Sequence, residues 1–301
     1  MSATIGPHAA RNALPAMAGP ALMLVGMLMF SLNDAMGKWL VASYSVGQVL
    51  LIRSVAALVI LAPFLWKAGL KPILSAEKPR MQAARVFFST FEVFAFYYAV
   101  ISLPLADVMT YWLAAPIYVA AASPFLLGER VGWRRWTAIA IGFAGVLIAL
   151  NPSRAMFTPP AIVSILGTLA FAFMMISGRS LRGTPDRTLV FFQLSGALVA
   201  GLVVAPFDWR PLGEPGDVAL MLLLGVVAMS AHMLVNRALK ISDAATVAPL
   251  QYTLLLWAIL FGWLFFGDLP KPAMLAGAAL IVGSGLFIFF REQQLKRRKA
   301  A

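Results

Sequence analysis

One pattern recurs along this chain at a distance of about 140 residues, and each copy holds an odd number of membrane-length apolar segments. Tyr97-Tyr98-Ala99-Val100 returns 139 positions later as Asn236-Arg237-Ala238-Leu239, and Gly128-Glu129 returns at the same offset as Gly267-Asp268. Gly26, Gly37 and Lys38 match Gly167, Gly178 and Arg179 at an offset of 141, and Gly145 matches Gly285 at 140. Five spans per copy force the second copy into the membrane upside down relative to the first. Inverted repeats meeting near the bilayer midplane are the architecture of secondary carriers, whose halves exchange conformations around one central site. The expected fold class is an all-α membrane protein of ten transmembrane helices, built as two inverted five-helix repeats.

Composition agrees. Charged residues are only 12% of the chain and hydrophobic ones 61%, about half the charged share of a soluble domain. The apolar residues fall in stretches of about 20, enough to cross the hydrocarbon core as helix. Ten spans are expected at 20–41, 46–66, 83–103, 105–127, 134–151, 159–180, 187–206, 217–239, 245–267 and 272–290. Trp39, Trp66, Trp133, Trp136 and Trp209 mark their rims, as an interfacial aromatic belt would. The period-two alternation of barrel strands is missing. Asn151-Pro152-Ser153 breaks the helical pattern and divides a first repeat, 1–151, from a second, 152–301, which carries a basic tail. One Arg and two prolines precede a full-length first span, which reads as a retained helix and not as a cleaved signal. With no cysteine, thiol chemistry is excluded.

The net charge of +12 would suit nucleic acid, but its distribution points elsewhere. With the N-terminus in the cytoplasm, 19 of 24 Lys and Arg fall on cytoplasmic segments, and the acidic residues split evenly. That is the positive-inside bias, and it sets both termini in the cytoplasm. Lys296-Arg297-Arg298-Lys299 is either a solvated topology anchor or a contact for anionic lipid. The expected partners are a small-molecule substrate and membrane lipids, with no nucleic acid; monomer and homodimer both remain open.

Of the prolines inside spans, Pro116 lies in the middle of the fourth and Pro249, its repeat counterpart, a turn into the ninth. Each removes a backbone hydrogen bond, and each is read as a hinge or as a static kink. Gly142, Gly145, Gly277, Gly283 and Gly285 give spans five and ten small-residue faces, which suit close helix packing or dimerisation.

Ionisable groups inside a span are costly and are the first functional suspects. Asn33, Asp34 and Lys38 lie on the first span, with Asp34 and Lys38 spaced to share a face and neutralise each other. Alternatively, Lys38 reaches the interface and Asp34 only compensates it. Glu92 is followed by an unbroken apolar and aromatic run, Val93 to Ile101, and preceded by Phe87, Phe88 and Phe91. It is read as an amine ligand, a proton carrier, or a structural partner of Arg53 on span two. Arg53 itself has only Gln193 or Leu194 at its matching place in the second repeat. His232 and Asn236 lie one turn apart on span eight and match Val93 and Tyr97 of span three. Trp112 and Gln251 occupy matched positions on spans four and nine, beside Tyr111 and Tyr252. An aromatic–amide pair across the repeat axis would suit a flat solute with hydrogen-bonding groups, whereas a packing role would leave those rings in the core. The substrate-binding set is thus Asn33, Asp34, Lys38, Glu92, Tyr97, Trp112, His232, Asn236, Gln251 and Tyr252.

No phosphate loop, zinc motif or nucleophile elbow occurs in the sequence, so no catalytic residue, cofactor or metal is expected and the chain is read as a non-enzyme.

Ten spans in a five-plus-five duplication, with Gly-Glu or Gly-Asp after spans four and nine, resemble the drug/metabolite transporter superfamily in its EamA-type branch. Phe30-Ser31-Leu32-Asn33-Asp34-Ala35-Met36-Gly37-Lys38-Trp39 looks like the first helix of that branch, and Gln48-Val49-Leu50-Leu51-Ile52-Arg53-Ser54 resembles its second. The likeness covers residues 20–290 and implies a central cavity walled by helices 1, 3, 4, 6, 8 and 9, with 5 and 10 at the periphery. It implies residence in the bacterial inner membrane. Among characterised members the aromatic amino acid exporter is the expected match, with Glu92 facing an amine and Lys38 or Arg53 a carboxylate. The expected function is export of aromatic and other neutral amino acids by alternating access. The alternatives are a permease of the same fold for riboflavin or a nucleotide-derived metabolite, and a membrane scaffold or lipid scramblase with no solute site.

Overall fold

A backbone in hydrocarbon has no water to bond, so it must satisfy its own polar groups within each span. The computed structural model describes residues 7–69, 73, 78–126, 132–150, 158–181, 183–241 and 248–300, and no strand occurs among them. The helices are α1 (Pro7–Ser43), α2 (Val46–Ala68), α3 (Pro79–Ser102), α4 (Leu105–Trp112), α5 (Ala115–Leu126), α6 (Trp133–Leu150), α7 (Pro159–Ser180), α8 (Asp186–Val204), α9 (Pro215–Ile241), α10 (Thr253–Phe266) and α11 (Pro272–Ala300). Short 3₁₀ turns follow α8, over Ala205–Asp208, and precede α10, over Ala248–Tyr252. Helices α4 and α5 together make the fourth span. Six spans, formed by α1, α2, α3, α7, α8 and α9, are long and apolar enough to cross a bilayer on that ground alone; the other four are shorter apolar helices.

The break in the fourth span has a local cause. Pro116 has no N–H to give the Trp112 carbonyl, and its ring disfavours helical geometry in the residue before it. The Ala114 N–H turns back to Tyr111 O at 3.0 Å, and a new helix starts at Ala115. The sequence suggested a kinked continuous span from 105 to 127; the structure has two helices with a turn between them. Span nine likewise opens as a 3₁₀ turn that contains Pro249. The side chains of Pro116 and Pro249 lie outside those described, as do the 151–153 repeat boundary and the Gly128-Glu129 marker. At the ends, α1 starts at Pro7 and α11 runs on to Ala300, so both helices extend beyond their apolar segments.

Packing follows an approximate two-fold axis between the repeats. Helix α1 packs on α9, and its counterpart α7 packs on α3; α2 pairs with α8 and α6 with α11, each across the axis. In lipid such contacts depend on close van der Waals approach and interhelical hydrogen bonds, not on expulsion of water. The repeat glycines mark the approaches. A methyl group on Gly26 would meet Val235 of α9, and one on Gly167 would meet Ala95 and Trp112. On the peripheral pair, Gly145 of α6 sits against the Gly277 carbonyl and Leu280 of α11. The small-residue faces of spans five and ten are therefore used at least partly on each other.

Gly145→Leu is expected to wedge α6 from α11 and destabilise the fold by about 1–3 kcal/mol, the usual range for overpacking. The check is the monodisperse yield in detergent beside the thermal midpoint. Unchanged values in both would show that this contact does not hold the two helices together.

Candidate functional site

About seven residues beyond Gly26, roughly 10 Å along α1, the polar side chains begin. Asn33 is buried and donates its Nδ2–H to Asp34 Oδ1 at 3.0 Å. From α3, Glu92 Oε1 accepts a hydrogen bond from the indole Nε1 of Trp112 on α4 at 2.7 Å. The Trp112 ring meets Phe96 edge-on at 5.4 Å. From α2, Arg53 donates through Nη1 to the Tyr97 hydroxyl at 2.6 Å, and its guanidinium carbon lies 5.4 Å from the centre of that ring. Tyr97 is fully buried against Gly37 of α1, which has no side chain to obstruct it. Asp34, Glu92 and Arg53 all lie within electrostatic range of one another. His232 of α9 meets Phe30 of α1 edge-on, with ring centres 4.7 Å apart.

This cluster is incompletely bonded. Ser31 Oγ, Asn33 Oδ1, Arg53 Nε and Ser54 Oγ are buried without a protein partner. A buried polar atom left in that condition costs about 1–3 kcal/mol, and two of the four belong to members of the cluster itself, Asn33 and Arg53.

Several expected pairings form differently. Lys38 does not turn to Asp34. Its Nζ meets Asp268 Oδ2 at 2.7 Å, just beyond the end of α10, and lies 4.5 Å from the Phe266 ring centre. A chain-local spacing rule sees only Asp34, whereas the fold brings in a carboxylate 230 residues away. Glu92 is bonded to Trp112 and not ion-paired with Arg53. Trp112 therefore makes its hydrogen bond with a carboxylate, and no bond between it and Gln251 is found among the described residues. Gln251 is half-buried in the 3₁₀ turn, and Tyr252 puts its hydroxyl against Gly285 of α11. The Asn236 side chain lies outside those described. Reading for binding residues passed over Asp268 and Ser31. The repeat held a signal for Asp268, because Lys38 and Asp268 both belong to its recurring markers.

A second polar group stitches the repeats together at the α1–α2 corner. The Tyr44 hydroxyl donates to Asp217 Oδ2 at 2.5 Å and accepts from the Gly213 N–H at 3.2 Å. Bonded to that carboxylate, the hydroxyl holds its proton above the usual phenol range. Gln48 exchanges two bonds with the Arg210 backbone, at 2.9 and 3.2 Å, and Arg210 Nη1 reaches Ser43 O at 3.1 Å. A groove of about 390 Å³ lies nearby, lined by Val46, Phe91, Phe94, Tyr98, Val163 and Val204 among others. Its walls are apolar and include the exposed Phe91 and Tyr98, so it belongs to the outer surface of the bundle and not to the polar centre.

Residues 17–151 and 158–290 each match the EamA-like transporter family. Over 283 residues the chain is 25% identical to an S-adenosylmethionine uptake transporter of Rickettsia felis, covering 93% of this chain and 95% of that protein. It is 29% identical over 290 residues to a riboflavin transporter of Rhizobium johnstonii, with 95% of each chain covered. It is 26% identical over 269 residues to the pseudopaline exporter CntI of Pseudomonas aeruginosa, covering 88% of this chain and 93% of the relative. A protein crystal structure matches with a TM-score of 0.60 at 17% identity, covering 90% of this chain and 94% of that one, and so shares the fold.

Trp112→Phe would strip Glu92 of its donor and is expected to lower stability by about 1–3 kcal/mol. Glu92→Gln keeps an oxygen that accepts the same bond, so it should leave the thermal midpoint within about 2 °C of the parent for a change of under ~0.5 kcal/mol. Thermal unfolding of the two purified variants distinguishes them; an equal loss in both would mean that charge, not this bond, matters there.

Proposed function

Since the chain belongs to the EamA-like transporter family, we propose that it is a secondary carrier for small metabolites with an amino-acid end and a flat or apolar appendage, aromatic and other neutral amino acids included. The observation that carries this is the meeting of Glu92 with Trp112 beside Asp34 and Arg53: acceptors for an amine, a cation, and aromatic surface, drawn from α1 to α4. A zwitterion's two ends call for opposite charges in one place, and an indole face suits a planar group.

A second reading is favoured by the relatives. Two of those described above are named for S-adenosylmethionine and riboflavin, both carrying large fused rings. S-adenosylmethionine retains an amino-acid end and fits the same charges, whereas riboflavin has none to offer Glu92. The direction of flux is proposed to be export. An unpowered carrier follows the gradient, however, so uptake by one relative and export by another need no difference in site.

Alternating access requires contacts that seal one face and later part. The Lys38–Asp268 pair, with side chains 14% and 27% exposed, joins α1 of the first repeat to the end of α10 in the second. Charge bias assigns that end to the outside, and the Tyr44–Asp217 and Gln48–Arg210 links lie toward the same end. Together they are proposed to hold the outer face closed.

Flux of labelled phenylalanine, S-adenosylmethionine and riboflavin into proteoliposomes containing only this protein tests the substrate class. Carriage of either amino-acid-bearing solute, lost in Glu92→Gln, is the expected result. Riboflavin alone would replace the substrate reading, and no flux of any kind would favour a scaffold or scramblase.

The closure is tested separately, and the natural lack of cysteine makes that simple. A thiol placed by Ala35→Cys, one turn below Lys38, should label faster from outside when Asp268→Asn is added. About tenfold is expected if the pair contributes ~1.4 kcal/mol to the closed state. An unchanged labelling rate would remove the pair from the closing contacts.

A further inference from the structure

Arg53 enters the proposed site only as a nearby cation, and its own bonding carries more. Its side chain is only 7% exposed, in the middle of an apolar span. A guanidinium there normally has a carboxylate beside it, because a buried unpaired charge costs several kcal/mol by order of magnitude. Two carboxylates are within electrostatic range, yet neither is bonded to it: Asp34 accepts from Asn33, and Glu92 from Trp112. Nη1 is occupied by the Tyr97 hydroxyl, while Nε has no partner. Among the described residues no hydrogen bond from Nη2 occurs either, so the edge formed by Nε–H and Nη2–H meets no acceptor there, and its parallel donors match the two oxygens of a carboxylate.

Position supports the same conclusion. A methyl group on Gly225 of α9 would run into the Arg53 backbone carbonyl, so α2 is held hard against α9 at that level. Tyr97, anchored against Gly37, fixes the other terminal nitrogen. The Arg53 backbone is therefore held by α9 and its guanidinium by Tyr97, with Nε left unpartnered. Nor does it belong to the repeat scaffold: the glycines of the seams recur in both halves, but the second repeat has Gln193 or Leu194 where the first has Arg53.

We infer that Arg53 is the receptor for a carboxylate on the transported solute, bound through Nε and Nη2, with Tyr97 as its positioning residue. This rests on the reading of the site as one for amino-acid-bearing metabolites and adds a requirement to it. The solute must carry its carboxylate, and Glu92, with Asp34 and Asn33 Oδ1 as further acceptors, remains for the amine at the opposite end. The asymmetry of the charge also means that a solute binds in one orientation with respect to the two repeats.

The test compares half-saturating concentrations for flux of phenylalanine and phenylalaninamide, or of S-adenosylmethionine and its carboxamide if that is the solute carried. Proteoliposomes hold the parent protein, Arg53→Gln or Arg53→Lys. In the parent the acid should be preferred about 100-fold, a comparison that needs no folded variant. Arg53→Gln should erase that preference by weakening the acid alone, and Arg53→Lys should restore part of it. An amide carried as well as the acid by the parent would overturn the assignment while leaving the amino-acid reading intact. So would an Arg53→Gln variant that weakens both equally, which is the mark of a structural role. Riboflavin as the sole solute, having no carboxylate, would overturn both.

Discussion

Lipid gives helices little reason to associate, because the hydrocarbon around them is as apolar as their own side chains. Whatever draws two spans together must come from backbone proximity and from polar bonds, and here the proximity comes first. Gly26 lets α1 meet α9, and Gly167 lets α7 meet α3 against Ala95 and Trp112. Those seams set the depth of everything beyond them on the same helices, including Asn33 and Asp34 on α1 and Glu92 on α3. Trp112 serves both purposes at once: its ring packs against Gly167, and its nitrogen bonds to Glu92. Placement of the polar centre is thus a by-product of how the seams close.

Within that centre, charges are near one another but not neutralised by direct pairing. Arg53 takes a phenol, Glu92 an indole and Asp34 an amide. Each of these is a weaker partner for a charge than an opposite ion would be. An ion pair at each position would have bound the helices more firmly and left less for a solute to do. Opposite charges do meet directly at Lys38 and Asp268, near the end of the bundle, where partial exposure lowers the cost of separating them. The division leaves the separable ion pair at the rim and the unpaired charges at the centre.

Spans were legible from composition because bilayer thickness imposes a length and the bilayer admits few side-chain types. Only their ends moved: α1 begins at Pro7 and α11 continues to Ala300, since helical propensity outlasts hydrophobicity. Span four was the exception, because Pro116 was read as a bend and the chain makes a full stop at Leu113–Ala114. Partners were harder to read. Asp34 and Lys38 look paired by spacing, but on the folded bundle a side chain is free to choose across helices, and Lys38 chooses Asp268. Arg53 and Glu92 do not pair for the same reason, since nothing in either neighbourhood announces that one bonds to Tyr97 and the other to Trp112. The repeat is the better guide: its matched glycines Gly26, Gly37, Gly145, Gly167 and Gly285 all lie at close contacts, while Gly267 caps α10 in a left-handed turn with open space around it.

The two-fold pairing of α1 with α9 and α3 with α7 also says something about ancestry. Five such helices alone would leave both seams facing lipid, so a half-length forebear could complete its packing only beside an oppositely oriented copy of itself. Its loops would have had to tolerate both orientations in one membrane. In such a homodimer every residue appears twice, once pointing each way, and an arginine on span two would have come as a pair. Gene fusion lifts that obligation. A single polypeptide can hold Arg53 in one half and an uncharged residue opposite, giving a symmetric frame a polarity that no antiparallel dimer of identical halves is able to have.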